Sequence, residues 1–231
     1  MFERIIIAAS DISPSAVDVL KGVASLKHLG AKTCLLLQCQ PAFDLDQASV
    51  AYLADHIDKS LSKQIKFLRE QNFDAEARVV FGLTRSEVNR IAEEEDYALI
   101  AAGAARHSLI GGLLSGGIAY EIIHNVRRPV LLVRLPEEIS KAPAEIRPLL
   151  DHVLYLTDFS DNSVAAFAAL RQMAAAINSV TLLHVQDKSR IDPVKLADLE
   201  AFNTPDRGRL NALREELLAE GAKHVEIQLT V

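Results

Sequence analysis

Ile5-Ile6-Ile7-Ala8-Ala9-Ser10-Asp11-Ile12-Ser13 recurs 147 positions further on as His152-Val153-Leu154-Tyr155-Leu156-Thr157-Asp158-Phe159-Ser160. Apolar run, small hydroxyl residue, Asp, apolar residue and Ser coincide in order, and a long internal period of this kind identifies a duplicated unit. With at most a one-residue slip, Thr33 to Gln38 then falls on Thr181 to Gln186, and Ala75 to Val80 on Lys223 to Gln228. Three strand-like runs are therefore shared between the two halves of the chain.

Outward from these runs, residues 1–134 alternate short Val-, Ile- and Leu-rich segments with longer ones of helical period, the pattern of a parallel sheet covered by helices. Five strands are expected, at Arg4 to Ala9, Lys32 to Cys39, Ala75 to Phe81, Tyr97 to Ala102 and Pro129 to Arg134. Ser13-Pro14-Ser15 supplies helix-start chemistry, and a first helix runs to about Leu29 and closes on Gly30. Between about Asp46 and Asn72, Val50, Leu53, Ile57, Leu61, Ile65 and Leu68 are spaced three and four apart, so one apolar stripe faces the sheet. A third helix spans about Arg85 to Glu95 and a fourth about Ser115 to Asn125.

The fold class that follows is α/β: an open parallel five-stranded sheet with helices on both faces, followed by a partial second copy. Residues 1–134 form the complete domain, the Pro-containing stretch 135–150 a linker, and 151–231 an incomplete domain of three strands and two helices. If the strand order is 2-1-3-4-5 or 3-2-1-4-5, absence of the last two strands leaves strand one of the second copy with an unpaired edge. The expectation is that another chain covers this edge, or that the 231 residues are a truncated form of a longer protein.

Composition narrows the function classes. Of the chain, 49% is hydrophobic and 24% charged, which suits a soluble globular protein with a substantial core. A net charge of −6 without a Lys/Arg stripe disfavours a nucleic-acid partner. The opening MFERIIIAAS is too brief for a signal-peptide core or a membrane span, so no membrane partner and cytoplasmic residence are expected. Cys34 and Cys39 match neither a disulfide framework nor a zinc motif and read as structural thiols. Seven scattered histidines form no H-x3-H or H-E-x-x-H pair, so no metal site is expected. There is no G-x-S-x-G elbow, and neither a Ser-His-Asp nor a Cys-His set can be placed on the strand ends, so no catalytic residue is assigned. Ser115-Gly116-Gly117 lacks the strand-one context of an ATP pyrophosphatase loop. The acidic run Glu93-Glu94-Glu95-Asp96 reads as a solvated helix end.

The strand ending in hydroxyl and Asp, the Ser-x-Ser helix start, the long second helix and a fourth strand running into Gly103 before a glycine-containing loop resemble the universal stress proteins. Residues 3–134 resemble one whole unit of that family and 152–231 about the first half of another. In its nucleotide-binding branch, strand four is followed by G-x2-G-x9-G-[S/T], whose glycines let backbone N–H groups approach phosphate oxygens. Aligned without a gap, those positions are Gly103, Arg106, Gly116 and Gly117, so two of four match. Arg106 can bind phosphate directly through its guanidinium, whereas Gly117 lacks the hydroxyl.

The resemblance implies binding of ATP or another adenine nucleotide, with Mg accompanying it, across the carboxyl ends of strands one and four. The contacting residues it implies are Ala9, Ser10, Asp11, Gln38, Gly103, Arg106, Gly116 and Gly117. It implies a cytoplasmic stress-response sensor or regulator acting as a homodimer and through a regulatory protein partner. A nucleotide-free dimerisation or scaffold module, pairing through strand five, is the alternative. A slow ATP hydrolase is the third reading, since no base for water is identified.

Overall fold

A computed structural model describes residues 1–9, 16–40, 59, 61–104, 122–123, 126–134, 149–186 and 199–230. The chain divides into two compact units, Met1–Arg147 and Pro148–Val231.

Unit 1 is built from β1 (Arg4–Ala9), α1 (Ala16–Ser25), a 3-10 turn (Leu26–Leu29), β2 (Thr33–Gln40), α2 (helical over 61–70), β3 (Asp74–Phe81), α3 (Thr84–Glu94), β4 (Leu99–Ala104) and β5 (Val130–Arg134). All four strand pairings are parallel, in the order β3-β2-β1-β4-β5. The sheet is thus the 3-2-1-4-5 form of the two orders expected.

Both faces of the central strands are dry, which is why their sequences read as unbroken apolar runs. Ile6 lies in one row with Leu35 and Ile100. That row and the next, Ala8, Leu37 and Ala102, pack under Val88, Ile91 and Ala92 of α3 and under Ile122. The alternate residues Ile5, Ile7, Cys34 and Leu36 are buried to 2% exposure or less. They face the opposite layer, where the right-handed crossovers through α1 and α2 lie. Leu20 and Val23 of α1 and Leu61, Ile65 and Leu68 of α2 are buried there. Val50, Leu53 and Ile57, the rest of the expected stripe, fall outside the described residues, as does the Ser13-Pro14-Ser15 helix start. The first helical segment closes on Gly30, which takes φ 84° and donates its N–H to the Lys27 carbonyl at 3.1 Å.

The acidic end of α3 is solvated, with the Asp96 side chain 88% exposed, and its carboxylates also face arginines. Glu94 meets Arg90 at 2.7 Å, Asp96 meets Arg128 at 3.1 Å, and Glu93 faces Arg127 at 3.8 Å. Glu95 is paired with Arg78, whose guanidinium holds the carboxyl below its ordinary range. Arginines from β3, the helix itself and the approach to β5 thus offset the unfavourable charge at this helix C-terminus.

Unit 2 contains β6 (His152–Thr157), α4 (Asp161–Met173), a 3-10 turn (Ala174–Ala176), β7 (Ser179–Val185), α5 (Leu199–Ala219) and β8 (Val225–Thr230). Its three strands are parallel in the order β6-β7-β8, the same order as β1-β2-β3. One face carries the core, with Tyr155, Val180, Leu182 and Val225 packed against Phe167 and Leu170 of α4 and Leu210 and Leu217 of α5. On the other face Leu154 is 53% and Leu156 61% exposed.

The two units are not related by one constant shift. Ile5 pairs with Cys34, 29 positions on, whereas Val153 pairs with Val180, 27 positions on. Val153 and Tyr155 face α4, so their counterparts are Ile5 and Ile7, which face α1, and not the Ile6 and Ala8 of the 147-residue alignment. Likewise Cys34 corresponds to Val180 and Ala75 to Val225, two residues away from the matches read along the sequence. The one-residue difference at β6 inverts which face each side chain takes, because side chains alternate between faces, whereas the two-residue differences at β7 and β8 keep the faces and change only the register.

Candidate functional site

In unit 1 the sheet order reverses between β1 and β4, because the chain leaves β1 toward β2 and β3 and returns to β4 on its other side. In an open α/β sheet the helices diverge at such a point and leave a crevice beyond the carboxyl ends of the strands. β1 pairs β4 with Ala8 beside Ala102, so Ala9 and Gly103 are the next residues of adjacent strands at that crevice. Gly103 is half-buried and pairs with Val133 of β5. Without a Cβ it leaves the backbone of β4 approachable at its outgoing end.

Gln38 pairs with Ala9 on one side and with Val79 of β3 on the other. It is 9% exposed, a buried amide among apolar neighbours at the carboxyl end of β2. Ala9, Gln38 and Gly103 therefore share one end of the sheet on three adjacent strands. Ser10, Asp11, Arg106, Gly116 and Gly117 lie outside the described residues, as do Gly111 and Gly112. Among the described residues no group of three His, Cys, Asp or Glu side chains is placed to hold a metal ion.

At the corresponding corner of unit 2 the turn after β6 is described throughout. Thr157 ends β6, and its hydroxyl oxygen accepts the Phe159 N–H at 3.0 Å and donates to the Ser163 hydroxyl at 3.1 Å. Asp158 accepts the Ser160 N–H at 3.0 Å, and the Ser160 hydroxyl with this amide holds the Asp158 carboxyl below its ordinary range. Ser160, not Asp158, is the N-cap of α4: its side chain accepts from the Ser163 N–H. Phe159 takes φ 58°, which turns its ring onto His184 of β7 at 4.6 Å between centroids. His184 donates Nδ1–H to the Thr157 carbonyl at 2.7 Å, and its Nε2 faces Asp206 at 3.6 Å. None of this inner network was legible from the sequence, because its partners come from three separated segments; the recurring Ser/Thr residues after β6 were the only available signal.

Asp158 directly follows the last residue of β6, whereas Asp11 stands two positions after the last residue of β1. The two aspartates are thus offset by one residue relative to their strands, and the alignment that equates them holds for the motif but not for the strand ends.

Among the described residues no helix is long and apolar enough to cross a membrane. A comparison with curated proteins finds no match. A search of solved structures finds a universal stress protein from Archaeoglobus fulgidus DSM 4304, at TM-score 0.70 and 19% identity, covering 99% of this chain and 77% of that one. It also finds the hypothetical protein MJ0577, at TM-score 0.52 and 23% identity, over 60% of this chain and 99% of that one. At these identities the likeness is one of fold. The description "Universal stress protein family" matches residues 1–134, more than half of the sequence. The five-stranded 3-2-1-4-5 unit that carries Ala9, Gln38 and Gly103 is the segment so matched, and the chain belongs to the universal stress protein family.

Proposed function

We propose that unit 1 binds an adenine nucleotide, ATP with Mg or a relative of it, and that the protein acts in the cytoplasm as a stress-response sensor or regulator. The observation that carries this reading is the position of Gly103 beside the end of β1 at the point where the strand order reverses. A side-chain-free residue at that crevice admits a phosphate-bearing ligand to within hydrogen-bonding reach of the backbone. The described residues suit such a ligand: Gln38, buried two strands from Gly103, offers an amide donor and acceptor at the same end of the sheet. Asp11 would lie against the sugar end, and Arg106, Gly116 and Gly117 would surround the phosphates.

A second reading, a nucleotide-free pairing or scaffold module, is favoured by β5. Val130, Leu131, Leu132 and Val133 form an edge strand that is only half-buried, with β4 its sole described neighbour. Such an edge suits a second copy of the chain or a protein partner.

Calorimetric titration with ATP·Mg and with AMP separates the two, using the parent chain, Asp11→Ala and the pair Arg106→Gly with Gly117→Ser. Saturable binding by the parent, weakened at least roughly tenfold by Asp11→Ala, is the expected result. Binding by the double variant alone would assign the parent to the pairing module. Binding by none of them would overturn the nucleotide reading.

A further inference from the structure

Unit 2 holds a cleft of about 200 Å³ between β6, α4 and α5, apart from the strand ends where the nucleotide is placed. Tyr155, Phe159, Phe167 and Leu213 are among the residues that line it. The rings of Tyr155 and Phe167 lie 5.5 Å apart and tilted by 54°, which leaves an aromatic surface on one side. An apolar cavity of about 150 Å³ is enough to stay dry and to accept benzene, so this one has room for a single ring or a compact bicycle.

The polar groups along the wall are already engaged with one another. The Tyr155 hydroxyl donates to the Ser163 carbonyl at 2.6 Å, and the Thr157 hydroxyl is used by Phe159 and Ser163. Both hydroxyls have spent their proton in these bonds, so a ligand finds acceptor oxygens and no hydroxyl donor: one N–H can be taken up, whereas a carboxylate would lose its bonds to water. At the mouth, Arg171 meets Glu216 at 3.1 Å and also Glu220. Arg171 is thereby committed to carboxylates of the protein itself, so the charged lining residues leave no free cation for an anion. Phe159, held at φ 58° where a bulky side chain is uncommon, keeps its ring in this wall through contacts with His184 on one side and Arg209 at 5.3 Å.

From this cleft we infer that unit 2 carries a second ligand site, for a compact uncharged molecule of one or two aromatic rings. The site is separate from the nucleotide crevice of unit 1 and does not depend on it.

The test is a titration of the full chain with indole and with indole-3-carboxylate, followed by heat and by the NMR signals of Tyr155 and Phe167. Indole binds saturably and moves both signals; the carboxylate binds roughly tenfold more weakly because it leaves water for a rim with no free cation. Ala168→Leu narrows the mouth from an exposed position of α4 with a good helix former, so the fold is kept while indole binding drops at least roughly tenfold. Leu213→Phe, which fills the cleft from α5, gives the same loss. No saturable effect on the parent overturns the inference. Equal affinity in both filled variants does so too, and equal affinity for the carboxylate overturns the class of ligand.

Discussion

Cys34 shows what full burial does to one titratable atom. It lies on β2 between Ile5 and Ala75, with no measurable exposure, and burial pushes its thiol up to about 12. Its folded value is raised, so its contribution to stability is complete below the unfolded value of about 9 and is lost as pH rises from there towards 12. Over that window one such group costs about 1.4 kcal/mol per pH unit. Denaturant unfolding between pH 8 and roughly pH 11 should show a steeper decline in the parent than in Cys34→Ala, the difference reporting this single thiol. An identical slope in both would show that the thiolate is accommodated in the fold. The structural role of Cys34 was legible in its place within Lys32 to Cys39. So was the position of Gln38 at the end of β2. The partners of Glu93 to Asp96 were not, because Arg78, Arg127 and Arg128 arrive from other elements and leave no local pattern.

At the scale of elements, the strands and the described helical segments were read well because each is dictated by local period. β1 spans Arg4–Ala9 as expected, and the other strands of unit 1 fall within two residues of their expected ends. Register between elements is a different quantity. A residue added between strand and helix changes neither composition nor period, yet it reverses which face of the strand meets which helix. Hence three parallel strands in the second unit were expected from the residues, while their register against the first unit was not. The start of α4 is the element whose local chemistry is most complete: Ser160 caps it, Asp161 stands in its first turn, and Arg171 in its last. Ser160→Ala removes the cap and the hydroxyl that steadies Asp158, and is expected to lower the stability of unit 2 by about 1 kcal/mol in thermal unfolding. Ser160→Asp, a good capping residue, should restore most of it. Loss of stability in both would mean that the hydroxyl serves the Thr157–Ser163 network and not the helix end.

For the whole molecule, the division at Arg147 and Pro148 separates two cores with their own helices and sheets. Two cores give two cooperative transitions when few contacts join them. Leu210, fully buried against the sheet of unit 2, is a probe for one of them. Leu210→Ala should cost roughly 2–5 kcal/mol in the transition of unit 2 and leave the other in place, as seen by differential calorimetry. A single transition that moves as a whole would mean that the units unfold together. The parallel sheet and its helices were legible at this scale, including the second, smaller sheet. The glycine-containing loop was less so, since such a loop points to a phosphate only through the elements on either side of it, and Arg106, Gly116 and Gly117 lie outside the described residues.

The unequal spacing of the two units bears on how their coding segments can exchange. Recombination between repeats is guided by sequence likeness, which here aligns Ile5 to Ser13 with His152 to Ser160. Copying residues 152–160 over 5–13 in that alignment, with the rest of unit 1 kept, would place Tyr155 in the slot of Ala8, which is 5% exposed and packed beneath α3. A phenol forced into a space shaped for a methyl group overfills a closed core. An exchange made in that register would therefore fail at folding, because each unit closes its core on its own set of side chains.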